Sequence, residues 1–114
     1  MDSISATILL KAMDGLSMRA NIISQNIANA NSPSYRPLKV NFEDALRAAA
    51  SGTREDVRKV QPNIGLSIDH NGRSELRLDL EMATAASTAG RYGTLAELLN
   101  RRLQIEAMAA AGSR

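Results

Sequence analysis

Apolar residues at Leu9, Met13, Leu16, Ala20, Ile23, Ile27 and Ala30 recur in alternating steps of four and three, the spacing of a coiled-coil seam. Ser3 supplies a hydroxyl suited to cap the start of that helix. Asn31-Ser32-Pro33-Ser34 ends it, because Pro33 lacks a backbone donor and pushes its predecessor out of the helical region. The pattern predicts an N-terminal helix within residues 1–30. A second seam runs through Met82, Ala85, Ala89, Tyr92, Ala96, Leu99 and Leu103, and beside it lies a further apolar row, Leu95, Leu98 and Ile105. Asp79 and Glu81 complement the N-terminal dipole of this second helix, and Gly112 suits the position just after its end. A C-terminal helix over 79–112 follows, with more apolar face than one partner helix can cover.

The middle segment, 31–78, has no such period. Tyr35 to Val40 contains Pro37 and should run extended, after which Asn41 can cap a short helix, 42–50, with Phe42, Ala45, Leu46 and Ala49 on one face. Ser51-Gly52 stops it, and the polar stretch 52–63 reads as a mobile loop. Ile64, Leu66 and Ile68 alternate, as do Leu76 and Leu78 after Asn71-Gly72. A three-residue loop, His70-Asn71-Gly72, would pair Leu66 with Leu76 in a hairpin within 64–78; an ordered irregular loop is the alternative. The fold class expected is mainly α, with the two terminal helices pairing as an antiparallel coiled coil around one unit, 1–114.

Composition narrows the function. The chain has 114 residues, no Cys and no Trp, and aromatics are only 3%, so thick-core, disulfide and cysteine-ligated metal architectures are out of reach. Much of the apolar share is Ala, which buries little area, and burial stabilises by only ~25 cal/mol per Å². Terminal helices of this kind should complete their burial against other subunits, and alone should be loosely helical. A net charge of +2 permits nucleic-acid or anionic-membrane binding without demanding it. Lys11, Asp14 and Arg19 interrupt the first helix, so neither a cleaved leader nor a transmembrane segment is expected.

Side chains that could carry chemistry lack companions. His70 is the only His, and neither a second ligand nor an activating base is spaced to work with it, so no catalytic, metal or cofactor-binding residues are expected. Arg91, Arg101 and Arg102 are interrupted by Glu97 and Glu106, and no aromatics are interleaved for base stacking, which argues against a nucleic-acid face. Asn21, Gln25 and Asn29 form an amide stripe that is either solvated or fixes register against a neighbour. Gly15 costs ~1 kcal/mol of helix propensity relative to Ala. Gly90 and Gly93 either admit a close backbone or are simply tolerated.

The run Asn26-Ile27-Ala28-Asn29-Ala30-Asn31-Ser32-Pro33-Ser34-Tyr35-Arg36 closely resembles the signature near the N-terminus of bacterial flagellar rod, hook and hook-associated proteins. Its continuation, Val40-Asn41-Phe42-Glu43-Asp44-Ala45-Leu46, is similar to that of the proximal-rod subunits, as are Asp79-Leu80-Glu81-Met82 and Arg91-Tyr92 with Leu95, Leu98, Leu99 and Arg101. Ser34 stands where the family usually has Gly, and the charged residue common between the acidic pair and Met is missing after Glu81. The resemblance implies a subunit exported without a cleaved signal through the flagellar type III channel. It would assemble with other rod subunits, and with basal-body or export-gate components, into a helical tube. Terminal helices would form the tube wall. The segment Asn31 to Leu38 leaves the first helix abruptly and, running extended, is the candidate contact loop that presents Tyr35 and Arg36. A soluble helical adaptor that never polymerises is the rival class, and a small nucleic-acid-associated helical protein a third.

Overall fold

The computed structural model describes residues 3–68 and 71–112. Its elements are α1 (Ile4–Ala28), β1 (Leu38–Asn41), α2 (Glu43–Ala50), α3 (Arg54–Arg58), β2 (Asn63–Leu66) and α4 (Leu78–Gly112). The Ser3 hydroxyl accepts from the Ala6 N–H at 3.2 Å and opens α1 as the sequence predicts. Asn29 closes it, its N–H returning to the Gln25 carbonyl at 3.1 Å. No non-glycine residue described has positive φ, so Ser34 makes its turn without left-handed backbone. The molecule is elongated, 64 × 26 × 17 Å, with a radius of gyration of 17.5 Å against ~13 Å for a compact chain of this length.

Helices α1 and α4 lie antiparallel: Asn26 near the end of α1 bonds Glu81 near the start of α4, and Arg102 in the last third of α4 bonds the Ser3 hydroxyl. The buried core lies elsewhere. Leu16 and Ile22 of α1 pack with Val40, Phe42, Leu46 and Val57, all from the middle segment. Leu95 of α4 reaches this cluster, but Thr88 is the one fully covered residue of that helix among those described. Aromatic and branched residues of the middle segment bury more area than Ala-rich α4 can, so they set where the core forms.

Four expectations need correction. The stretch 52–63 is not a mobile loop: Thr53 and Asp56 make a reciprocal capping box, and α3 places Val57 wholly inside the core. Asn41 belongs to β1 and caps nothing; Phe42 occupies the cap position of α2, and Glu43 and Asp44 complement the helix start. The hairpin within 64–78 does not form, because β2 pairs antiparallel with β1, Leu38 opposite Leu66 and Val40 opposite Ile64. Its expected turn residue His70 lies outside the described residues. Gly112 lies within α4 and does not follow it.

Candidate functional site

Asn26 occupies the last turns of α1 and has 0% of its surface exposed. Its Nδ2 donates to the Leu38 carbonyl at 2.7 Å and to Glu81 Oε2 at 3.1 Å. Its Oδ1 accepts from the Leu38 N–H at 3.0 Å and from the Tyr35 hydroxyl at 2.7 Å. Two donors and two lone pairs are all an asparagine has, so this amide is fully used. The amide pairs with both backbone groups of Leu38 as a neighbouring strand would. One side chain thereby ties together α1, the turn at Tyr35, β1 and the head of α4.

A second polar node lies two turns earlier on the same face. Arg19 donates to both Glu43 carboxylate oxygens at 2.6 Å and to the Val40 carbonyl at 2.7 Å, and its guanidinium stacks over the Phe42 ring, 4.9 Å from the centroid. Arg91 of α4 adds a bond to Glu43 Oε2 at 3.3 Å. The Arg19 guanidinium holds the Glu43 carboxyl down from 4.5 to about 2. A depressed carboxylate contributes stability that is complete above its unfolded pKa and is lost as acid protonates the folded form. We expect Glu43→Gln to melt below the wild type at neutral pH, and the gap to close between about pH 4.5 and about 2. Thermal unfolding across that range measures it, and a gap that persists at the acid end contradicts it.

The expected packing residues separate into covered and bare. On α1, Leu16 and Ile23 are buried and Leu9 and Met13 half-buried, whereas Ala20 and Ile27 are exposed. On α4 the covered positions are Glu81, Ala85, Thr88, Leu95, Ala96, Leu99 and Arg102. Met82, Ala89, Tyr92 and Leu103 of the expected seam are therefore exposed, together with Leu98 and Ile105. The seven-residue rhythm holds, but its phase is one residue earlier at every other step, and Leu95 belongs to the internal packing.

Among the motif residues, Asn26 and Tyr35 meet in the buried node and Phe42 enters the core. Tyr35 is thus turned inward and does not stand on an outer contact loop. Ile27, Ala28, Asn31 and Pro33 are exposed, and Asn29 donates to the Gln25 carbonyl at 2.8 Å. Of the amide stripe, Asn21 and Gln25 face outward. Around Gly90 and Gly93, apart from the adjoining residues and the helix's own backbone, no described atom comes within 4 Å of where a Cβ would sit. The sequence reading missed Arg19, Glu43 and Glu81, whose partners lie 21 to 55 residues away and leave no local signal.

Pairing antiparallel places Arg102 beside Ser3, so the last ten residues of α4 run ~15 Å past that point. On this overhang Ile105 and Met108 are 61% and 73% exposed, and exposed Leu98 lies two turns before Ile105 on the same face. Among the described residues no helix is long and apolar enough to cross a membrane. Compared with known proteins, the chain matches no family model and no curated sequence.

Proposed function

We propose that this chain is a structural subunit of the proximal rod of the bacterial flagellar basal body, of the FlgB type. In this reading it acts as a building block, and no catalytic group or cofactor is involved. The observation that carries the reading is the bare apolar flank of α4, Leu98, Ile105 and Met108, on a helix that outruns its partner in the same chain. Contiguous apolar surface of this kind marks a protein contact. The motif Asn26 to Arg36 says which contact, since it resembles the signature of subunits whose terminal helices assemble into a tube. Neighbouring rod subunits would extend the α1–α4 pair into coiled-coil packing along that flank, with the middle segment outside the tube wall.

Leu98→Asp and Ile105→Asp change exposed positions, so each is expected to leave the subunit folded. Each should also abolish its recovery in purified basal bodies, and with it swimming, in a strain deleted for the native copy. Circular dichroism of the purified variants separates lost assembly from lost folding. A deletion strain that swims normally overturns the proposal. Capture of a partner's amphipathic helix by a chain that never enters basal bodies would assign the adaptor role instead.

A further inference from the structure

The two edges of the small sheet are finished differently. Ser67 N–H donates to the Pro37 carbonyl at 2.9 Å, and bonded and non-bonded pairs alternate in an antiparallel ladder. Hence Lys39 with Gly65, and Asn41 with Asn63, carry the ladder bonds, while the backbone groups of Leu38, Val40, Ile64 and Leu66 point away from it. On β1 three of those four outward groups are taken up by α1: Asn26 holds both of Leu38's, and Arg19 holds the Val40 carbonyl. On β2 the outward N–H and C=O of Ile64 and Leu66 meet no hydrogen-bond partner among the described residues. Ile64, Leu66 and Ile68 are 47%, 39% and 48% exposed. From Val60 to Ile68 there is no charged residue, so the lysine and the inward charge that usually blunt such an edge are absent.

We propose that β2 pairs antiparallel with β2 of a second copy of this chain, about a two-fold axis through Gly65, making a four-stranded sheet. The free backbone groups lie symmetrically on either side of Gly65. Ile64 of one copy therefore faces Leu66 of the other, and the two copies exchange four N–H···O=C bonds. The carbonyl of Pro62 faces the N–H of Ile68 at each end, so the donor that proline lacks falls outside the four. A segment without charge meets its own copy without repulsion, and the same hydrogen-bond phase appears on both sides. Such an interface is isologous and closes as a dimer. It is independent of the rod reading, which rests on α4.

The test uses full-length protein, whose sequence has no native Cys to interfere. At Gly65 a new Cβ would have Asn63 Oδ1 at 3.9 Å as its nearest neighbour, so Gly65→Cys fits. Two such cysteines across the axis would have Cβ atoms ~5 Å apart, within a small adjustment of disulfide distance, whereas Ser67→Cys would place them ~13 Å apart. Under mild oxidation Gly65→Cys should cross-link about ten-fold faster or more than Ser67→Cys. Sedimentation should show a wild-type dimer. Ile64→Pro, which removes an outward N–H and no β1–β2 bond, should give a monomer that keeps the wild-type circular dichroism spectrum. Ile64→Lys with Leu66→Lys should separate the copies, and Ile64→Lys with Leu66→Glu should restore them, because opposite charges then face each other. Ile105→Asp should leave the dimer intact. A wild type that is monomeric at every soluble concentration overturns the proposal. So does equal cross-linking at both cysteines, an undiminished Ile64→Pro dimer, or loss of the dimer in Ile105→Asp.

Discussion

Replacing Asn26 by leucine is expected to destabilise the subunit by roughly 3 kcal/mol, although leucine is the better helix former and has the same number of side-chain heavy atoms. The cost comes from the groups left behind. Tyr35 and Glu81 are only half-buried and can turn their polar atoms toward water once the amide is gone. The N–H and carbonyl of Leu38 cannot, because β1 is fixed in the ladder and its outer edge is covered by α1. Two stranded backbone groups at ~1–3 kcal/mol each set the magnitude. Asn26→Asp retains the acceptors but places a second carboxylate beside Glu81, so it should be nearly as harmful at neutral pH and milder in acid. Urea unfolding followed by circular dichroism reads both variants. An Asn26→Leu midpoint indistinguishable from that of the wild type would mean that water can reach β1 and that the node is dispensable.

That node shows where a single sequence stops speaking. Its hydrogen bonds join Asn26 to Leu38 and Glu81, 12 and 55 residues away, and no local period encodes such a pairing. What was legible is what depends on neighbours in sequence: the Ser3 cap, the break before Pro33, the acidic head of α4 and the short helix containing Leu46. The Thr53-x-x-Asp56 box was equally local, yet five residues with one apolar side chain, Val57, gave no period to go with it. On α4 the rhythm was legible and its phase was not. Met82 and Leu103 outweigh Thr88 in hydrophobicity, but the helix turns Thr88 inward because small side chains let α1 approach closely. Ile64 and Leu66 announced a strand correctly. Their alternation suits Leu38 and Val40 as well as Leu76 and Leu78, and only the folded chain chooses between them.

Gly15→Ala supplies the sharpest contradiction between local preference and packing. Helix propensity alone predicts a gain of ~1 kcal/mol from that change in the middle of α1. A Cβ at Gly15, however, would sit 2.5–2.6 Å from three carbons of the Phe42 ring, which lies flat against the helix there. The ring has little freedom to retreat. It is 4% exposed, Arg19 stacks on it, and its own residue occupies the cap position of α2, one residue before the Glu43 that Arg19 grips. Overpacking of this kind costs ~1–3 kcal/mol, so the propensity gain of ~1 kcal/mol is offset and the variant should be less stable by up to about 2 kcal/mol. Gly15→Val, with two more methyl groups aimed at the ring, should lose more. The cause is isolated by repeating Gly15→Ala in a Phe42→Leu background, where the smaller side chain leaves room. There the same alanine should be neutral or stabilising, giving a coupling above ~1 kcal/mol between the two positions. Were Gly15→Ala to raise stability in the wild-type background, Phe42 would have room to move, and the close approach of α1 to α2 would not depend on a glycine.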